Sequence, residues 1–113
     1  MVLFSEGGIC IMKTHNKLVR DLIPGIIQQS GRTAEWETLD EAAYQTALRT
    51  KLTEEAREFE QDPCAEELAD LMEVMEAIIQ SYGYDVNDIL RIKADKKAQR
   101  GGFDKRIFLR SVL

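Results

Sequence analysis

Two pairs of acids stand out by their spacing: Glu55 with Glu58, and Glu67 with Asp70. Members of each pair are three residues apart, so on a helix they are surface neighbours. Two carboxylates about 5 Å apart repel by roughly 3 kcal/mol at an effective dielectric near 20. Four gathered in a partly dry groove therefore require a positive charge among them. An all-oxygen donor set suits a hard divalent cation, and Mg²⁺, with Mn²⁺ as a substitute, keeps waters and takes phosphate oxygens as its remaining ligands. The chemistry such a cluster could perform is therefore phosphate chemistry.

The elements that must position these acids are helices. Asp40 is a good N-cap for a stretch running to Glu60, in which Tyr44, Leu48, Leu52, Ala56 and Phe59 make an apolar stripe with Glu55 near its centre. Glu54 and Glu58 lie on one edge of that stripe, with Lys51 between. A third stretch is expected to open with Asp62 as N-cap and Pro63 as its first residue, and to stop at Gly83. Leu68, Leu71, Met72, Met75, Ile78, Ile79 and Tyr82 form its wide apolar face, bordered by Glu67 with Asp70 one step further round. So short a connection requires the two helices to run antiparallel, which lets the acid pairs face one another. The plainer alternative is that these acids form ordinary ion pairs, Lys51 reaching Glu54 or Glu55, with the rest solvated.

Around this pair the chain predicts two more helices. The first lies within Lys17–Gln29, with Asp21 as N-cap, Pro24 in the first turn and Gly31 ending it. The fourth begins at Asp85, with Asp88 placed as in a capping box, and ends at Gly101-Gly102. Thr33–Leu39 alternates enough for a short strand, with which Lys105–Leu109 can pair as a two-stranded ribbon. The expected fold is all-α, a bundle of about four helices with that small ribbon as an accessory. At 113 residues the chain is one domain, read as 14–113, with residues 1–13 a loose N-terminal extension and Met12 an alternative start.

Composition narrows the function. A 44% hydrophobic and 31% charged chain with two prolines is globular and helix-favouring. Its net charge of −5 argues against coating nucleic acid, and it has no apolar run long enough for a membrane span. Cys10 and Cys64 have neither disulfide-framework nor zinc-knuckle spacing, which fits a reducing cytoplasm. His15, the lone histidine, has no Ser or Cys partner pattern, so triad chemistry has no support. Glycine-rich phosphate loops and EF-hand calcium loops are also absent from the sequence.

Cations that could hold phosphates are Lys17 and Arg20 at the start of the first helix, and Lys93, Lys96, Lys97 and Arg100, where the apolar stripe of the fourth helix turns basic. Basic residues near a helix C-terminus also complement its dipole, so that stripe has a purely structural reading as well. Trp36, Tyr44, Phe59 and Phe103 could stack on a base, although core or ribbon packing is the commoner role of aromatic residues.

The run Glu54-Glu55-Ala56-Arg57-Glu58, followed by Glu67 to Asp70, resembles the EExxE and ExxD signature of the MazG-like superfamily, which includes phosphoribosyl-ATP pyrophosphohydrolases. Asn16 to Pro24 (NKLVRDLIP) and Arg100 to Phe103 (RGGF) resemble a small bacterial subgroup of house-cleaning pyrophosphohydrolases. The resemblance spans most of residues 16–109. It implies an all-α fold, a homodimer or higher homo-oligomer, and Mg²⁺-dependent hydrolysis of a nucleoside triphosphate to the monophosphate and pyrophosphate. By motif position, Glu55, Glu58, Glu67 and Asp70 would be the metal ligands, and Glu54 would support them or help orient water. Lys17, Arg20, Lys51, Lys96, Lys97 and Arg100 are the candidate substrate contacts. Eight residues separate Glu58 from Glu67, fewer than the usual MazG spacer, and a tight turn keeps the same convergence. The reaction expected is in-line attack of a metal-activated water on the α-phosphorus. Two other readings remain: a phosphoribosyl-ATP pyrophosphohydrolase, and a non-catalytic nucleotide-binding module that serves oligomerisation.

Overall fold

Four helices follow one another in the computed structural model, which describes residues 15–113: α1 (Ile23–Gln29), α2 (Glu41–Gln61), α3 (Ala65–Ser81) and α4 (Val86–Arg100). The expected N-terminal extension, with Met12 and Cys10, lies outside the described residues. The all-α expectation holds. No strand forms among the described residues, so Thr33–Leu39 and Lys105–Leu109 do not pair as a ribbon.

Local chemistry sets the helix ends. Asp40 caps α2 as expected, its Oδ1 accepting from the Ala43 N–H at 2.8 Å, and Asp85 caps α4 through the Asn87 N–H at 2.8 Å. Asp88 does not complete a capping box; its carboxylate goes to Arg91 at 2.9 Å. Two starts fall later than the sequence suggests. A turn closed by the Ile23 N–H on the Arg20 carbonyl occupies Asp21, so α1 begins at Ile23 without a side-chain cap and Pro24 still falls in its first turn. Asp62 ends α2 rather than beginning α3, because its N–H donates to the Glu58 carbonyl at 3.0 Å. The reversal then takes Asp62-Pro63-Cys64, and α3 starts at Ala65. At the far end of α3, Gly83 has φ +70°, a conformation glycine adopts without strain, and the next N–H, that of Tyr84, bonds back to the Ile79 carbonyl.

Among the described residues, α2 and α3 form the one extensive helix–helix interface. They are antiparallel: Gln45 Nε2 donates to the Ser81 carbonyl at 3.0 Å and Arg49 donates to the Tyr82 hydroxyl, tying the beginning of α2 to the end of α3. The core is small, with Leu48 1% exposed, Val74 8% and, two helical turns from Leu48, the carboxylate-bearing Glu55 at 8%. The apolar arc of α3 is wider than the face it turns to α2. Glu67, Leu71, Val74 and Ile78 lie inward, while Leu68, Met72 and Met75 remain exposed about a quarter-turn away. α4 contains no buried residue, and residues 101–113 are exposed throughout. No described helix is long and apolar enough to cross a membrane.

Candidate metal centre

Glu55 is held at the centre of the α2–α3 interface by helix periodicity, seven residues beyond Leu48 on the same face. Glu67 and Asp70 enter the same space from the first turns of α3. One carboxylate oxygen from each of Glu55, Glu67 and Asp70 falls within 4.8 Å of the other two. On an octahedral Mg²⁺ with 2.1 Å bonds, adjacent oxygens lie about 3.0 Å apart and opposite ones about 4.2 Å, so the three would draw closer together to share one ion. The donor set, all oxygen with one member buried, fits a hard divalent cation.

Glu58 is exposed and falls outside that triad, though it is close enough for its charge to act on Glu67. Partial burial raises the Glu67 pKa above its ordinary 4.5, and the neighbouring charges of Glu58, Asp70, Glu55 and Asp62 push it the same way. Burial also works to raise Glu54, but the hydrogen bond and charge of Lys51, joined by Lys17, outweigh it and hold that carboxyl below its ordinary value. Within one small region, one acid is relaxed by cations and another is strained by its fellow acids.

The cations divide in the same way. Lys51 Nζ lies 3.0 Å from Glu54 and 3.4 Å from Glu55, the intrahelical pairing that the plainer reading anticipates. Lys17 reaches Glu54 at 3.4 Å and Arg20 reaches Asp70 at 2.7 Å. The segment before α1 is thereby tied to both helices of the hairpin. Lys96, Lys97 and Arg100 are exposed on α4 and form no ion pair with these acids. An open groove along α2 is lined by Thr50, Thr53, Glu54, Arg57, Glu58 and Gln61, none of them a member of the triad.

No protein-family model, curated protein or solved structure matches the chain.

Sequence reasoning misses a second grouping. Asp62, Cys64 and Glu67 also bring one ligand atom each within 4.8 Å of one another in the α2–α3 turn, with the Cys64 Sγ 3.9 Å from Asp62. Its signal was the three-residue turn itself, hidden by assigning Asp62 to the start of α3. Of the aromatics, Tyr44 and Phe59 are half-buried at the hairpin, whereas Trp36 and Phe103 are exposed and belong to no core. His15 is exposed.

Proposed function

We propose that this chain is a Mg²⁺-dependent nucleoside triphosphate pyrophosphohydrolase that works as a homo-oligomer. The observation that carries the reading is the convergence of buried Glu55 with Glu67 and Asp70 across the α2–α3 interface. A helix pair selected only for stability would gain from an apolar residue at position 55, because a buried charge costs more to desolvate than its neighbours return. Retaining a carboxylate there, beside two more, favours a function for the group.

Glu55, Glu67 and Asp70 would hold the ion, with Glu58 at the rim. A divalent cation there would supply charge neutralisation for phosphate oxygens and lower the pKa of a nearby water. Glu54, kept ionised by Lys51 and Lys17, would position those lysines and accept a hydrogen bond from water entering the groove. Lys17, Arg20 and Lys51 are donors that can turn from these acids to a polyphosphate, offsetting charge that the acids alone would repel. The bundle contributes a fixed geometry, which is most of what phosphoryl-group chemistry asks of a protein.

The test is pyrophosphate release from a panel of nucleoside triphosphates with Mg²⁺ or Mn²⁺. Glu55→Gln and Asp70→Asn should each lower the rate by about 10²–10³-fold with helical content unchanged. Full activity in either variant would remove the centre from the chemistry. Including phosphoribosyl-ATP in the panel separates the histidine-pathway activity, which would use the same metal and cleave the same kind of bond. A second reading, a nucleotide-binding module without catalysis, draws on the ion pairs that Lys17, Lys51 and Arg20 already make with these acids. Nucleotide binding by calorimetry without any pyrophosphate release would favour it.

A further inference from the structure

The segment before α1 reaches both helices of the hairpin with two cations of unequal standing. Lys17 Nζ lies 3.4 Å from a Glu54 oxygen, and Arg20 donates to Asp70 at 2.7 Å. Glu54 is not one of the three acids whose oxygens converge, whereas Asp70 is. An ion shared by Glu55, Glu67 and Asp70 would leave the Lys17 pair in place and compete directly with Arg20. The pairs also differ in depth: the Lys17 and Glu54 side chains are about a quarter exposed, those of Arg20 and Asp70 56% and 41%. Between the two cations Leu18 and Val19 are half-buried, and beyond them the Ile23 N–H closes a turn on the Arg20 carbonyl at 3.0 Å. The backbone that carries Arg20 is therefore held on both sides while its side chain is largely in solvent.

We infer that Arg20 is the resident cation of the centre and exchanges Asp70 for a bound polyphosphate when a divalent ion arrives, with Lys17 as the fixed anchor. The inference rests on the metal centre proposed above and is independent of catalysis. In the resting chain the guanidinium supplies positive charge to Asp70, which Glu55 and Glu67 crowd with negative charge. Giving up so exposed a pair costs Arg20 little. Its anchored backbone then keeps the freed guanidinium within a side chain's length of the centre, where the planar fork matches two phosphate oxygens. Phosphate removes Arg20 as a rival of the ion, and the ion removes Asp70 as a rival of the phosphate. Each ligand thus strengthens the other, by the same factor in both directions. The ligand selected is a polyphosphate paired with a divalent ion, because for the free anion Arg20 is already engaged and the acids repel.

Calorimetry on the full chain tests this, first with Mg²⁺ alone and then with inorganic pyrophosphate titrated into protein held in saturating Mg²⁺. Arg20→Ala should tighten Mg²⁺ binding about two- to fivefold, the worth of an exposed ion pair, and weaken pyrophosphate binding about tenfold. Lys17→Ala removes the same charge from an acid outside the triad, and should change Mg²⁺ affinity by less than about twofold. The opposed signs at Arg20 are decisive. A plain tether would leave pyrophosphate binding unchanged and a plain phosphate ligand would leave Mg²⁺ binding unchanged, and either result overturns the exchange while the metal centre stands. Equal tightening of Mg²⁺ by the two variants would reduce the effect to net charge and overturn it as well. A natural chain that binds no Mg²⁺ would remove the centre itself, and the exchange with it. Arg20→Lys, which keeps the charge without the fork, should return Mg²⁺ affinity to the natural value and recover pyrophosphate binding only in part. Without any substitution, the Arg20 side-chain N–H resonance of the natural chain should shift on adding Mg²⁺ and again on adding pyrophosphate. A resonance that Mg²⁺ leaves unmoved, in a chain that binds the ion, overturns the exchange.

Discussion

The α2–α3 hairpin and the α4 arm have similar helix-forming sequences and opposite fates. In the hairpin, Leu48 and Val74 are sealed between two helices whose ends are latched by Gln45 and Arg49. In the arm, Val86, Leu90 and Ile92 remain about half exposed although α4 is well capped at both ends. Capping and propensity therefore suffice to define a helix's limits but not to give it a place. What separates the two regions is whether a complementary face lies within reach of the same chain. The hairpin finds one because its turn is three residues long, and that same turn brings the acids together.

The comparison breaks most readily at the core. Leu48→Ala should cost about 2–4 kcal/mol in urea unfolding, since it opens a cavity in a core with little else to fill it. Leu109→Ala in the exposed tail should change stability by no more than about 0.5 kcal/mol in the same measurement. Equal losses from the two changes would show that the regions are not energetically distinct.

A smaller effect sharpens the electrostatic side of the hairpin. Glu54 has a folded pKa below 4.5, so its contribution to stability is complete above that pH and is lost as pH falls through the folded value. Glu67 has the opposite sign: raised above 4.5, it penalises the folded state when ionised, and the penalty fades as pH falls through its folded value. Mg²⁺ should therefore raise the unfolding midpoint at neutral pH and lose this effect as Glu67 takes up its proton. A Mg²⁺ stabilisation that persists undiminished below pH 4.5 would place the ion elsewhere.

The smallest effect concerns the tether. Arg20 and Asp70 are both substantially exposed, so Arg20→Ala should change stability by no more than about 0.5 kcal/mol. It should tighten divalent binding measured by calorimetry, because Asp70 no longer has a competing cation. Weaker binding instead would assign Arg20 a supporting role in the centre.

Much of this was legible in the sequence, and what was not has identifiable causes. Asp40 and Asp85 announce their helices because a short acceptor side chain beside free N–H groups is a local device. The position of Glu55 in the stripe follows from periodicity, and burial agrees. Asp62 was ambiguous because a residue between two helices can close one or open the other, and only the backbone bond to Glu58 decides. Val74 was overlooked for a more instructive reason. Val74 sits at the edge of the apolar arc, beside Glu67 and Asp70, and the centre of that arc falls between the inward Leu71 and Ile78 and the exposed Leu68, Met72 and Met75. The ribbon failed because alternation in Thr33–Leu39 offers a strand face without guaranteeing a partner. The long-range pairs of Lys17 and Arg20 leave no periodic trace in the chain at all.

Those two pairs bridge 37 and 50 residues, and the oxygens they occupy belong to the same acid-rich neighbourhood that a cation would enter. Anchoring the leading segment and loading an ion thus draw on overlapping carboxylates. A protease that cuts near Lys17 or Arg20 would then report ionic occupancy from outside, its cleavage rate rising as magnesium is titrated in.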